Sequence, residues 1–191
     1  PETTKPRKKL FLHSGLLPIY ERNPKCFFSA IAELKQEKVI KGEEIIFRLR
    51  ATGFSQEYKN VIKELDIADI VEIAERKSYK EALSEMLIAD YLIVFQHRTC
   101  NWQTPAKIYE YFRAKKPLLL LIGTDSDTHS LVKQSTAQFQ QAEIDDTKGI
   151  KQAIISCLAM NSPPINSEDF SKYSRKEGAK KLVQIIADTK E

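Results

Sequence analysis

The segment that most constrains the fold is residues 89–122, which reads ADYLIVFQHRTCNWQTPAKIYEYFRAKKPLLLLI. It contains an apolar run at residues 91–95, a polar loop, a helical stretch opening at Thr104 and Pro105, and a second apolar run at residues 117–122. Such runs are typical of parallel strands buried on both faces. Ligands of open parallel sheets bind outside the carboxyl ends of the strands. With Lys107 and Glu110 near the helix start, the segment predicts a site for a phosphorylated, hydroxyl-rich ligand.

Strand and helix patterns alternate along the rest of the chain. Further strands are predicted at residues 10–13, 44–49, 70–74 and 137–142. Besides the helix that opens at Thr104 and Pro105, helices are predicted at residues 24–34, 57–65, 78–87, 129–134, 148–160 and 169–188. Ser78 and Glu81 have the spacing of a capping box at one helix start. This alternation predicts a Rossmann-like α/β domain, a mostly parallel sheet with helices on both faces. We assign residues 10–161 to this domain, residues 1–9 to a leader or linker, and residues 162–191 to a C-terminal helical extension.

Composition limits the class of protein. The chain has 191 residues, of which 42% are hydrophobic and 29% charged, as in an ordinary soluble domain. Its cysteines, Cys26, Cys100 and Cys157, have no CxxC spacing, which argues against a zinc site or disulfide framework and for a reducing compartment. No apolar run approaches the ~20 residues of a membrane span, and no signal peptide is visible. We expect a cytoplasmic protein without a nucleic-acid partner.

The net charge of +4 comes largely from basic residues near the two termini. Ordinary solvated termini are the simpler interpretation. The alternative is peripheral contact with an anionic inner membrane surface, which basic segments favour.

Several phosphate-binding and catalytic motifs are absent from the sequence. There is no GxGxxG after the first strand, no GxxxxGK[ST] and no GxSxG, which argues against a dinucleotide-binding fingerprint, a P-loop enzyme and an α/β-hydrolase. His13, His97 and His129 have no metal-ligand spacing, so we interpret each as a lone loop or surface histidine and expect no metal site.

The motifs that are present resemble, in their order, the C-terminal half of a GT-B glycosyltransferase, close to the retaining family 4. The landmarks are a loop with Gly15 and Arg22 after the first strand, FRLRATG at residues 47–53, ADYLI at residues 89–93, and PAKIYEY at residues 105–111 followed by KP at residues 116–117. The resemblance covers roughly residues 10–160. It implies a two-domain enzyme with its site between the domains, so we expect this chain to be the donor-binding half and its N-terminal domain to be a missing partner.

The resemblance also implies roles for individual residues. Glu110 matches the glutamate that accepts hydrogen bonds from the ribose of a nucleotide-sugar donor. Thr104 would be the N-cap of its helix, and the amides through Ala106 and Lys107 would hold the donor diphosphate. Arg22 matches the basic residue that faces the phosphates. Together with Lys107 it is the expected catalytic group, stabilising the departing nucleoside diphosphate.

Alternatives remain open for these residues. Lys107 can equally be a solvated lysine, Arg22 can pair with Glu21, and Glu110 can form a surface pair with Lys107 or Arg113.

Gly15, Arg76 and Trp102 complete the expected donor site. Gly15 lies in the loop after the first strand, and Arg76 lies in the segment 74–77 that is expected to face the nucleobase. Trp102 stands eight residues before Glu110, where the resembled family has another glutamate that faces the sugar. It could stack on a donor ring or be an exposed loop tryptophan.

The expected function is transfer of a sugar from a nucleotide-diphosphate sugar to an acceptor in polysaccharide or glycolipid synthesis, with retention and without a metal or cofactor. Trp102 motivates an alternative, a GT-B-like nucleotide-binding or assembly module that has lost catalysis. An unrelated flavodoxin-like domain is the third hypothesis.

Overall fold

The computed structural model describes residues 7–160 and 173–188. In these residues six strands form one sheet. The strands are β1 (Lys9–Ser14), β2 (Ile45–Arg50), β3 (Val71–Ala74), β4 (Tyr91–Phe95), β5 (Leu118–Leu121) and β6 (Phe139–Ala142). The helices are α1 (Lys25–Gln36), α2 (Ser55–Glu64), α3 (Tyr79–Ile88), α4 (Lys107–Ala114), α5 (Asp127–Lys133), α6 (Thr147–Ala159) and α7 (Arg175–Asp188). A short 3-10 helix, Arg98–Cys100, follows β4 and was not predicted.

The sheet is parallel, with the strand order β3-β2-β1-β4-β5-β6. This is the order of a Rossmann-like doubly wound fold, as predicted. In its register Phe11 of β1 lies between Phe47 of β2 and Tyr91 of β4. The direction of strand progression reverses between β1 and β4. Because ligands of such sheets bind at the reversal, the loops that follow β1 and β4 frame the candidate site.

Apolar side chains cover both faces of the sheet. One cluster includes Phe11, Phe47 and Phe95 and packs under α1, α2 and α6, with Phe27 edge-on to Phe47 at 5.3 Å between ring centroids. The second cluster lies on the opposite face of the sheet and packs under α3, α4 and α5; from β4 and β5 it includes Leu92, Val94, Leu118 and Leu120. Every residue of β4 and β5 is buried. The predictions that helices cover both faces of the sheet and that β4 and β5 are buried on both faces are therefore confirmed.

Several element boundaries differ from the predictions. Pro24 is the N-cap residue of α1 rather than its first helical residue, and the Asn23 side chain accepts from the Lys25 amide at 3.0 Å. The predicted capping box at Ser78 and Glu81 is confirmed.

The ordered structure begins earlier in the chain than Leu10, the predicted first residue of the domain. Lys9 opens β1, and the Arg7 guanidinium donates to Asp90 Oδ1 at 2.7 Å. The rest of the predicted leader, residues 1–6, lies outside the described residues.

The C-terminal helix α7 accounts for residues 175–188 of the helix that was predicted at residues 169–188, while residues 173 and 174 precede it. The predicted start at residues 169–172, like the break predicted at residues 161–164, lies outside the described residues. Tyr173, just before α7, packs against Phe112 of α4 with 5.4 Å between ring centroids. Leu182 and Val183 of α7 are 58% and 67% exposed. None of the described helices has the length and apolar character needed to cross a bilayer.

Candidate functional site

The loop after β1 brings a glycine against a lysine from α4. Gly15 has φ +136°, a conformation that side-chain-bearing residues rarely adopt, and its amide donates to Arg50 O at 2.9 Å. A Cβ atom on Gly15 would lie 2.5 Å from Lys107 Nζ. Only glycine therefore satisfies both the backbone conformation and the space that the Lys107 ammonium occupies.

Lys107 is held inside the site rather than in solvent. Its ammonium donates to Ser14 O at 2.9 Å and lies 3.2 Å from His13 Nε2. Burial and the nearby charge of Arg22 lower the pKa of Lys107 to about 7, although Glu110 acts in the opposite direction. No salt bridge to Lys107 occurs among the described residues. The alternative of a solvated surface lysine is therefore wrong.

His13 is a buried partner of Lys107, which corrects its interpretation as a loop or surface histidine. It is 1% exposed, and its Nδ1 lies 2.9 Å from Ile93 O. A carbonyl oxygen only accepts, so Nδ1 carries the proton and Nε2 is free to accept from Lys107. Burial and the Lys107 charge hold the pKa of His13 well below its usual range. His13 is therefore a neutral acceptor that orients the lysine.

Arg22 supplies a second cation near Lys107. Its amide donates to Pro18 O at 2.8 Å, which places Arg22 in a turn of the β1–α1 loop. Its Nε is buried and has no hydrogen-bond partner. The side chain forms no ion pair within residues 7–160 and 173–188, so the alternative of a pair with Glu21 is not observed. An unpaired buried donor of this kind costs about 1–3 kcal/mol, which a bound anion would recover.

The start of α4 differs from the prediction. Thr104 is not the N-cap, because that position is Ala106 and the helix has no side-chain cap. The first turn instead uses i→i+3 bonds, from Ile108 N to Pro105 O (3.0 Å) and from Tyr109 N to Ala106 O (3.3 Å). In the described structure the amides of Ala106 and Lys107 donate no hydrogen bond, so they remain available to a ligand.

The β4–α4 loop is fixed by a buried polar network that the sequence analysis missed. Gln96, just after β4, is 1% exposed and donates to Gln103 O at 2.9 Å. Its Oε1 accepts from Thr128 Oγ1 of α5 at 2.8 Å. The Asp127 amide donates to Asn101 O at 2.8 Å. These bonds hold the loop that leads into α4. A polar residue directly after a fully apolar strand was the available signal.

Glu110 lies on the first turn of α4 and is half-buried. The hydroxyl of Tyr79 donates to its Oε1 at 3.2 Å. Glu110 forms no ion pair with Lys107 or Arg113 among the described residues, so that alternative is not observed. Tyr79 opens α3, and this contact therefore joins the β3–α3 loop to the start of α4. Neither periodicity nor spacing singled out Tyr79.

The remaining predicted residues lie on the surface around this site. Trp102 is 87% exposed in the β4–α4 loop. Arg76 is exposed in the β3–α3 loop, and Ala106 is exposed at the start of α4. The structure thus brings Gly15, Arg22, Lys107 and Glu110 together, while the binding and catalytic roles of these and of the other predicted residues stay predictions.

Of the comparisons with known proteins, the one with solved structures identifies the architecture. No family model matches the sequence, and no curated protein matches it either. Among solved structures, the chain is similar to a UDP-forming alpha,alpha-trehalose-phosphate synthase from Burkholderia xenovorans, with a TM-score of 0.59 and 18% identity over 81% of this chain. It is also similar to WaaG, a glycosyltransferase involved in lipopolysaccharide biosynthesis, with a TM-score of 0.59 and 13% identity over 80% of this chain. The chain has the fold of a GT-B glycosyltransferase domain.

A third similar structure is alpha,alpha-trehalose 6-phosphate synthase from Burkholderia multivorans, with a TM-score of 0.65 and 11% identity over 96% of this chain. The chain spans 37%, 38% and 44% of these three proteins, in the order given. At such identities the likeness concerns the fold alone.

Proposed function

We propose that this GT-B domain binds the nucleoside diphosphate of a nucleotide-sugar donor and forms the donor-binding half of a glycosyltransferase. The observation that carries the proposal is a pair of neighbouring basic side chains, Lys107 and Arg22, that form no salt bridge within the described residues. Arg22 lies close enough to Lys107 to lower its pKa, and Arg22 Nε is buried without an acceptor. The backbone amides of Ala106 and Lys107, at the start of α4, are also unbonded in the described part of the chain. A diphosphate supplies the missing negative charge and several acceptor oxygens.

The same groups would assist transfer of the sugar. As the bond between sugar and diphosphate breaks, negative charge grows on the leaving phosphate oxygen. The Lys107 ammonium and the amides of α4 are in place before the reaction, so together with Arg22 they would stabilise that charge with little reorganisation. The Lys107 ammonium is held by His13 and Ser14, which keeps it aimed at the diphosphate. On this proposal transfer proceeds with retention and needs no metal.

Glu110 is suited to the ribose of the donor. Its Oε1 accepts from Tyr79, and the carboxylate retains capacity for two further hydrogen bonds. The 2′- and 3′-hydroxyls of a ribose would donate to this charged acceptor, and such bonds are stronger than neutral ones. The acceptor of the sugar is proposed to be a polysaccharide or glycolipid; WaaG, which shares the fold, is involved in lipopolysaccharide biosynthesis.

The second candidate function is a nucleotide-binding module without catalysis. It is favoured by Trp102, which replaces the sugar-facing glutamate of the resembled family and is exposed. Sugar transfer by this protein from a radiolabelled nucleotide sugar to a lipid or glycan acceptor would eliminate this candidate.

The binding proposal is tested by thermal unfolding of the chain with UDP-, GDP- and ADP-sugars and with the free diphosphates. A ligand present at ~100 times its dissociation constant adds about 2.7 kcal/mol to the free energy of unfolding. Glu110→Ala should reduce the gain by weakening the ribose contacts. The matched control is Glu64→Ala, which removes an exposed glutamate from the far end of α2. Absence of stabilisation by every nucleotide at millimolar concentration would refute the proposal.

A further inference from the structure

The nucleoside side of the proposed site contains an aromatic residue that no motif selected. Tyr79 is the first residue of α3, and its side chain is 69% exposed. It nevertheless has a defined partner, because its hydroxyl donates to Glu110 Oε1 at 3.2 Å. An exposed tyrosine that is anchored to the proposed ribose carboxylate presents its ring at the mouth of the site.

The backbone behind Tyr79 is fixed from two directions. The preceding residue, Ser78, forms the capping box with Glu81 that starts α3. On the other side of the loop, Arg50 donates to Glu75 O and also to Glu85 Oε1, the latter at 2.7 Å. Arg50 and Glu85 are 5% and 3% exposed, so this anchor lies inside the domain. Tyr79 is therefore held on a rigid support.

We propose that Tyr79 is a ligand-contacting residue, whose hydroxyl positions Glu110 for the ribose and whose ring covers the nucleoside. This inference rests on the proposed function, in which Glu110 accepts from the ribose hydroxyls. By holding Oε1, Tyr79 restricts the rotamers of Glu110 while leaving Oε2 and one lone pair of Oε1 for the ribose. A carboxylate that is already ordered loses less entropy when the ribose binds.

The aromatic ring of Tyr79 is proposed to contact the nucleobase. The β3–α3 loop that precedes it is the segment proposed to face the nucleobase. Every base has a π-face, and stacking on an aromatic side chain depends little on which base is present. The hydroxyl would therefore set the preference for ribose over deoxyribose, and the ring would add affinity for any nucleoside.

The test uses the whole chain, with Tyr79→Phe, Tyr79→Ala and Leu87→Ala. Leu87 is an exposed residue further along α3 and serves as the matched control. Calorimetric titrations would use whichever of UDP, GDP and ADP stabilises the wild-type chain most, its 2′-deoxy counterpart, and inorganic pyrophosphate. Tyr79→Phe should weaken the ribonucleotide about three- to tenfold and weaken the 2′-deoxynucleotide, which keeps only the 3′-hydroxyl for Glu110, by a clearly smaller factor. Tyr79→Ala should weaken both nucleotides by roughly a further fivefold or more, the lower end of base stacking.

Pyrophosphate separates a ligand contact from a structural defect. The affinity for pyrophosphate should stay within about twofold of the wild-type value in every variant. The Leu87→Ala variant should keep its affinity for all three ligands within the same range. Three results would overturn the role of Tyr79 and leave the proposed function standing. The first is an equal loss of affinity for ribo- and deoxynucleotide in Tyr79→Phe, and the second is no loss of affinity in either tyrosine variant. The third is a parallel loss of affinity for pyrophosphate. A wild-type chain that binds none of the three nucleotides would overturn the proposed function together with this inference.

Discussion

Replacing Lys107 by methionine should stabilise the empty chain while weakening its binding of diphosphates. Burial and Arg22 lower the pKa of Lys107 from 10.5 to about 7. At 1.36 kcal/mol for each pKa unit, keeping this lysine in the folded state costs about 5 kcal/mol at pH 7 and below. The methionine leaves Ser14 O and His13 Nε2 without their donor, at roughly 1–2 kcal/mol each. The expected net gain at pH 7 is about 1–3 kcal/mol.

The pH dependence of this gain follows from the direction of the pKa change. Between pH 7 and 10.5 the unfolded chain keeps the Lys107 proton while the folded chain releases it, so the wild-type free energy of unfolding rises with pH. The Lys107→Met variant lacks this contribution. Its advantage should therefore shrink by roughly 2–3 kcal/mol between pH 7 and 9.

Urea unfolding of the wild-type chain and of Lys107→Met at pH 7 and pH 9 measures the difference between their free energies of unfolding. Contributions of the other titrating groups are common to both proteins and cancel in this difference. Lys59→Met, which changes an exposed lysine of α2, should alter the free energy of unfolding by less than about 0.5 kcal/mol at either pH. A Lys107→Met chain that is less stable than wild type at pH 7, or an advantage that does not shrink with pH, would refute the description of Lys107 as a buried, destabilised cation.

Two further substitutions test the support of the site. Gly15→Ala adds strain at φ +136° and places a Cβ atom against Lys107 Nζ. It should therefore lower the free energy of unfolding by about 1–3 kcal/mol. In calorimetric titrations it should weaken pyrophosphate binding at least tenfold. Gly178→Ala on α7, where a Cβ meets nothing within 4 Å, should be neutral or stabilising. Glu85→Gln leaves Arg50 buried without its counter-charge and should lower the free energy of unfolding by about 3–5 kcal/mol in urea. A loss below 1 kcal/mol in Gly15→Ala or Glu85→Gln would contradict its assigned role.

The central elements were predictable because their sequence signals are local and strong. β4 has the predicted bounds, since five consecutive apolar residues flanked by polar ones leave little freedom of assignment. The capping box at Ser78 is equally local. The start of α4 was misplaced because the prediction took Thr104 as a cap, whereas the first turn after Pro105 follows i→i+3 bonding.

The candidate site was only partly predictable from the sequence. Lys107 and Glu110 were indicated by the pattern of residues 89–122, Arg22 and the individual roles by the resemblance, and the structure brings the three residues together. The partners of these residues depend on packing between distant elements. Burial beside Lys107 lowers the pKa of His13 and keeps it neutral, and Tyr79 reaches Glu110 from another helix. Such contacts leave no periodic or spacing signal in the chain.

The most direct test of the donor-site proposal is a titration of the isotopically labelled chain with a nucleoside diphosphate, followed by amide signals in NMR spectra. The proposal predicts saturable shifts concentrated on Gly15, Ala106 and Lys107, with further shifts near Tyr79 when the nucleoside is present and none there with pyrophosphate alone. Saturable shifts confined to other surfaces, such as α2 or α6, or no shifts at millimolar ligand, would contradict it.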